Sequence, residues 1–159
     1  MCEFILHEES VQPEWIDYNG HMNVAYYVLV FDHATDGALE ALGMGEAYRE
    51  AENNTFFVAE SHVVYEREVK KDDLLVVKTK LIGYDTKRLH ISHEMYVKDG
   101  KDRCAGNEVM ALHVDMERRK TAEIPLEHRN AIKTGVEKSL QNGVPDYCAR
   151  AIQKLHNKF

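Results

Sequence analysis

The apolar positions of this chain change their period once. From Val24 to Phe31 they run without a break (VAYYVLVF) and continue with helical spacing to about Leu42, whereas from Phe56 onward long runs of Val, Leu, Ile and Tyr are cut by short polar connectors. The first pattern predicts a helix, begun by Asn23 as N-cap and stopped at Gly43 and Gly45. Apolar residues wrap most of its first two turns, so the pattern predicts burial on more than one side, with Asp32, His33 and Asp36 marking its emergence. A short polar helical piece is expected at 46–52. The second pattern predicts strands at about 56–69, 74–84, 88–98 and 102–116, joined by KKDD, GYDTK and KDGK, with sequence neighbours pairing antiparallel. Leu89, Ile91, Met95 and Val97 share a side of one strand, as do Met110, Leu112, Val114 and Met116 of the next, which suggests a single core face. MCEFILHEES reads as a first strand. Beyond Pro125 the chain turns polar and helical, LEHRNAIKTGVEKSLQNG followed by VPDYCARAIQKLHNKF. One apolar helix ahead of a long antiparallel sheet is most simply buried by wrapping the sheet around it. The expected class is α+β, one domain, with its core over about 1–125 and a C-terminal helical extension over about 126–159.

Composition narrows the partners. With 159 residues, 44% hydrophobic, 30% charged and a formal net charge of −7, the chain suits a soluble domain and disfavours a nucleic-acid backbone as partner. No apolar run approaches the roughly 20 residues of a membrane span, and the N-terminus lacks a basic region of the signal-peptide kind. Cys2, Cys104 and Cys148 are too few and scattered for a disulfide framework or a zinc site, so free thiols in a cytoplasm are expected.

The polar knot IDYNGHMN immediately before the apolar helix carries the chemistry. A helix start offers unpaired N–H groups and the positive end of a dipole. Asp17 lies just upstream, Gly20 permits a tight turn or a close approach, and Asn23 can cap the inner N–H groups while leaving that of Val24 free. A carboxylate facing such donors suits acyl transfer: the carboxylate activates water or attacks the carbonyl itself, and one oxyanion donor is worth about 3 to 4 kcal/mol. A thioester fits, because a thiol of pKa about 8.5 departs without a strong general acid. The same residues would also serve as a plain turn and cap.

DYNGHMNVAYY resembles the D-x-x-G-H-x-N-x-x-x-Y motif of the 4-hydroxybenzoyl-CoA thioesterase-like branch of hot-dog enzymes, with Asp17, Gly20, His21, Asn23 and Tyr27 in register, and the resemblance continues to about residue 125. It implies a hot-dog fold, acyl-CoA hydrolysis with CoA as part of the substrate and no cofactor, Asp17 as catalytic carboxylate, and the Val24 N–H as oxyanion donor aided by the turn at Gly20. The strings VQPEWIDYNGHMN, KRLHISHEMY and LHVDMERRKTAEIP resemble more closely the betainyl-CoA thioesterases of carnitine degradation, including modules fused to carnitine dehydrogenases. That resemblance implies a trimethylammonium acyl group held by aromatic faces or carboxylates. Trp15, Tyr18, Tyr26, Tyr27, Tyr65 and Tyr96 are the aromatic candidates. Glu60 is the carboxylate candidate, with an exposed edge position as its alternative.

The remaining polar signals are read structurally. His93 and Glu108, on adjacent strands, are expected to pair across a two-residue turn at Asp99-Gly100. His21 is expected to organise the turn. His90 and His93, three apart on a strand, point to opposite faces and cannot chelate together, so no metal is expected. Arg67, Lys70, Lys71, Lys87, Arg88, Arg118, Arg119 and Lys120 are the basic residues available to CoA phosphates. A lone hot-dog unit leaves its sheet open on one side, so a homodimer or homotetramer is expected. The rival functions are a noncatalytic acyl-CoA or small-ligand module, a thioesterase for another short or aromatic acyl group, and a hot-dog dehydratase.

Overall fold

The computed structural model describes residues 5–159; the first four residues of the expected N-terminal strand, Cys2 among them, lie outside the described residues. In chain order the elements are β1 (Ile5–Ser10), a 3-10 turn (Pro13–Trp15), α1 (Val24–Ala41), α2 (Glu46–Glu52), β2 (Asn54–Tyr65), β3 (Leu74–Tyr84), β4 (Arg88–Val97), β5 (Arg103–Asp115), β6 (Lys120–Thr121), α3 (Leu126–Ser139) and a final 3-10 turn (Leu140–Asn142). Asn23 caps α1 by accepting the Ala25 N–H at 2.9 Å, and the helix stops just before Gly43, as its sequence dictates.

The strands form one antiparallel sheet in the order β1-β3-β4-β5-β2, with β6 added beside β5. This is the curled α+β hot-dog sheet, and α1 packs on its inner face. Register shifts at Val58/Glu60, Leu81/Gly83 and Met95/Tyr96 mark bulges, which bend strands and increase twist. Two expectations about connectivity are corrected. KKDD does not close a hairpin, because β2 pairs with β5 rather than β3; residues 66–73 instead cross between strands and bury Val69. The β4–β5 turn is longer than two residues, spanning 98–102, with Asp99 at φ +63° and its Gly100 N–H on the Val97 carbonyl.

Both faces of the sheet are apolar, which corrects the single-face expectation. Leu89, Ile91 and Met95 face α1, and so do Ala105, Val109 and Ala111 of β5. Met110, Leu112 and Val114 alternate with the latter and therefore stand on the outer face. On α1 the buried positions Tyr27, Val30, Phe31, Ala34 and Ala38 form one stripe. Val24, Val28 and Leu29 remain exposed, so within this chain the helix is buried on one side only.

The outer face is covered from the C-terminus. α3 packs Ile132 and Val136 with Leu81, Leu89 and Ile91 on the α1 side, so the cover is the segment after it, which is not a second helix as expected; residues 143–159 run irregularly across the outer face. Tyr147 explains the difference. Its ring is fully buried against Gly106, where a Cβ would lie 2.6 Å from the ring, and its hydroxyl donates to the His93 carbonyl at 2.6 Å while meeting Ser92 Oγ at 2.7 Å. Pro145 and Ala149, the latter at φ +59°, let the chain hug the sheet. Arg103 pins this strap: it bridges Glu66 at 2.6 Å, Glu94 at 3.1 Å and Asp146 at 2.8 Å and lies 4.7 Å over the Tyr147 ring.

The expected pairing of His93 with Glu108 is also corrected. His93 stands opposite Asn107 and faces α1, whereas Glu108 stands opposite Ser92 on the outer face. Glu108 Oε1 accepts from His90 Nε2 and from the Ala149 N–H, both at 2.7 Å. Its Oε2 lies 3.9 Å from His62 Nδ1, and neither atom has a hydrogen-bond partner. His93 stacks on Phe31 and sits between two threonines. The Thr35 hydroxyl donates to the Phe31 carbonyl, so it accepts from His93 Nε2–H at 2.9 Å, and the Thr79 hydroxyl donates to Nδ1 at 2.8 Å. That arrangement satisfies only a neutral ring, and complete burial pushes His93 down to about 3. The unfolded chain takes up this proton near pH 6.5, so stability is fully present above that pH and is lost as pH falls toward 3. His90 and His113, also lowered by burial, act in the same direction. Denaturant melts should lose about 1.4 kcal/mol from His93 alone by pH 5.5, with His90 and His113 adding to the loss. A flat profile between pH 7 and 5.5 would contradict this account.

Candidate active site

The knot folds as a small hairpin. Ile16 and Met22 form a β-bridge, the Asp17 N–H donates to the His21 carbonyl at 3.0 Å, and the Gly20 N–H returns to the Asp17 carbonyl at 3.0 Å. Gly20 sits at φ +82°, a conformation that favours a residue without Cβ. The hairpin is anchored on both sides: the Met22 N–H donates to Val69 at 2.8 Å and the Asn23 N–H to Trp15 at 2.9 Å. The polar run can hold one shape because its ends are tied to the buried Trp15 and Val69.

Asp17 is half-buried, and its Oδ1 accepts the Asn19 N–H at 2.8 Å, which orients the carboxylate. The cap engages Ala25 and leaves the Val24 N–H, the first of the helix, outside its reach. Asp17 and Val24 open onto one cleft of about 340 Å³, which His21, Met22, Tyr27, Tyr65, Glu66, Arg67 and Glu68 complete. His21 Nε2 meets Glu68 Oε2 at 2.8 Å, fixing the turn to the opposite wall. Tyr27 donates to the Arg67 carbonyl at 3.2 Å and meets Tyr65 edge to face at 5.3 Å. Burial, with the Cys104 thiol beside it, raises Tyr27 to about 12, so it is a neutral donor. Glu66 is held below the usual carboxylate range by its hydrogen bonds from Arg103 and keeps its charge. The cleft therefore combines a carboxylate, a helix start, two tyrosine faces and two further acids.

Five of the candidates for catalysis and for the acyl group line this cleft: Asp17, His21, Val24, Tyr27 and Tyr65. Gly20 and Asn23 shape it from behind. Trp15 and Tyr26 stack on one another at 5.3 Å in the adjoining core, where they support the hairpin. Tyr18 is 97% exposed at the turn tip, and Glu60, opposite Met110, lies exposed on the outer side of β2; neither lines the cleft of this chain. Tyr96 lies away from it, under Lys78. Glu66 and Glu68 are cleft residues that sequence reasoning missed. The charge-dense EREVKK that follows β2 is the signal the sequence offers, but its composition reads equally as a strand end and a hairpin turn. Among the basic residues Arg67 lines the cleft, paired with Asp102 at 3.0 Å, and Lys70 pairs with Glu68 at 3.4 Å. Among the described residues, one group of side chains able to hold a metal ion lies elsewhere: His7, Glu9 and His33.

Comparison with known proteins agrees with this architecture. The Thioesterase-like superfamily matches residues 11–133. A betainyl-CoA thioesterase from Pseudomonas aeruginosa is 36% identical over 146 residues, 92% of each chain. Among solved structures, a putative thioesterase from Pseudomonas putida KT2440 superposes with a TM-score of 0.81 at 29% identity, covering 96% of this chain and 98% of that one. The hypothetical protein SAV2348 from Staphylococcus aureus, solved in complex with CoA, gives 0.79 at 26% identity over 94% of both. With a curled hot-dog sheet and a carboxylate at the start of its central helix, the chain belongs to the thioesterase-like superfamily.

Proposed function

We propose that this thioester hydrolase acts on a small acyl-CoA carrying a fixed positive charge, betainyl-CoA foremost, and releases betaine and CoA. The observation that carries this is the opening of Asp17 and the Val24 N–H onto one cleft whose walls include Tyr27, Tyr65, Glu66 and Glu68. Aromatic faces and carboxylates are the groups that hold a quaternary ammonium, which offers no hydrogen bonds. The likeness to a betainyl-CoA thioesterase over most of both chains supports the same substrate. In hydrolysis, Asp17 takes a proton from water as the water oxygen attacks the thioester carbonyl. The Val24 N–H and the helix dipole carry the tetrahedral oxyanion. Its collapse breaks the C–S bond and the proton passes to the CoA thiolate. Attack by Asp17 itself, through an anhydride, uses the same atoms. Single-turnover hydrolysis in heavy-oxygen water separates the two, because only the anhydride route can place label in the Asp17 carboxylate.

A thiol-trapping assay over betainyl-CoA, acetyl-CoA, a medium-chain and an aromatic acyl-CoA tests reaction and substrate together. Betainyl-CoA should give the highest kcat/KM, by roughly tenfold or more over acetyl-CoA, the size expected of a desolvated cation–π contact of about 2 kcal/mol. Equal rates for acetyl-CoA would overturn the cationic specificity. Tight binding without thiol release would instead mark a noncatalytic module.

The assembly proposed is a homodimer or higher oligomer in a cytoplasmic setting. β2 is a sheet edge 12 residues long that exposes Phe57 and Val58, and α1 exposes Val24, Val28 and Leu29 near the cleft. A long apolar edge of this kind is normally covered. Sedimentation showing only monomer at micromolar concentration would exclude it. Among the described residues no helix is long and apolar enough to cross a membrane, and Cys104 and Cys148 are free and buried.

A further inference from the structure

His7 and Glu9 alternate along β1 and therefore point to the same side, toward α1. His33, from the third turn of α1, comes down onto them. His7 Nε2 lies 3.0 Å and His33 Nδ1 2.8 Å from the same oxygen, Oε2 of Glu9. Two imidazoles paired with a carboxylate merely as an ion pair could divide its two oxygens between them. Here both nitrogens converge on one, and the three atoms all lie within 4.8 Å of one another. Ligands about 2.05 Å from a tetrahedral zinc ion stand about 3.3 Å apart. The two nitrogen–oxygen distances need to open by only a few tenths of an ångström, and the two nitrogens lie within 4.8 Å of each other.

We propose that His7, Glu9 and His33 form a binding site for one divalent transition cation of the zinc class, with a fourth position open to solvent. Two imidazoles and a carboxylate are a donor set suited to zinc, cobalt or nickel rather than to magnesium or calcium, which require mostly oxygen. The side chains are 20 to 39% exposed, enough for a cation to enter and a water to complete its coordination. The surroundings favour positive charge. Asp32, next to His33 in the chain, and Asp36, one helical turn on, add two carboxylates beside the cluster.

The location gives the site a consequence. β1 leads directly into the hairpin that carries Asp17, and α1 begins at Val24. A cation held by both elements would clamp the two supports of the cleft together behind the chemistry, without touching substrate. The inference is independent of the acyl group and of the hydrolytic step, since it rests on a different set of side chains.

The test uses untagged full-length protein stripped by a chelator, titrated with zinc chloride by calorimetry and with cobalt(II) by visible absorption. The expected result is one zinc per chain, cobalt bands of ordered nitrogen and oxygen coordination, and a rise in melting temperature of about 5 to 10 °C at zinc a hundredfold above its Kd. His7→Ala and His33→Ala should each weaken binding roughly tenfold or more and remove the rise, whereas His62→Ala, beside Glu108 on the outer face of the sheet, should bind as the parent does. Glu9→Gln retains the size of the side chain and carries the same comparison if an alanine variant does not fold. No zinc uptake at micromolar concentration, uptake undiminished in His7→Ala and His33→Ala, or loss of uptake in His62→Ala would each overturn the proposal.

Discussion

Replacing Asp17 by asparagine should lower kcat for a good acyl-CoA substrate roughly 10³-fold, the middle of the range for loss of a positioned acid or base, with little change in KM. The substitution isolates chemistry from structure. Asparagine retains an Oδ1 that can accept the Asn19 N–H, so the hairpin through Gly20 and its ties to Trp15 and Val69 should persist. Melting temperature should therefore stay within about 2 °C of the parent, as is usual for substitutions that spare buried contacts. What is lost is the negative oxygen that takes the proton of water or attacks the carbonyl, and the Val24 donor alone should supply the residual rate. Undiminished turnover by Asp17→Asn would exclude either role. A parallel loss in melting temperature would shift the effect to folding.

The second large effect is one of stability, on the opposite face of the sheet. Glu108→Ala removes the acceptor of both His90 Nε2 and the Ala149 N–H, each at 2.7 Å, within a side chain that is fully buried. Two donors are then left dry beneath the C-terminal strap. Leaving these two buried donors unsatisfied costs about 3 kcal/mol, which corresponds to a fall of about 6 to 12 °C in melting temperature for a domain of this size. Glu108→Gln, which keeps an acceptor, should recover part of the loss. Hydrolysis per folded molecule should be little altered in either variant, because Glu108 faces away from the cleft. A melting temperature unchanged in Glu108→Ala would mean that the strap is held by Tyr147 and Arg103 alone.

Much of the fold was legible because its signals are local. The Asn23 cap, the span of α1 and the bounds of α2 follow from residues within a few positions of one another. So does the turn at Gly20, whose positive φ is the reason a glycine suits that position. The errors share a different cause. β2 and β3 are consecutive, which reads as a hairpin, yet residues 66–73 carry Val69 into the core and cross between strands, and β2 pairs with β5. Leu89 and Met110 looked like members of one face because period-2 alternation reports sides only relative to the same strand. The β4–β5 turn sets which sides coincide. The segment after α3 has residues compatible with a helix, but docking Tyr147 over Gly106 takes precedence over local propensity.

The sequence by itself determined the central helix, the strand-rich body and the order of Asp17, Gly20, His21, Asn23 and Val24 that makes a carboxylate meet a helix start. Those features depend on spacing along a short stretch of backbone, and spacing is written in the chain. Only the tertiary structure decided which distant groups share a space. It set Glu68 against His21, separated His93 from Glu108, and brought His7 and Glu9 under His33. Such meetings depend on strand register and helix docking, which are chosen by the summed burial of many side chains and leave no mark at any one position.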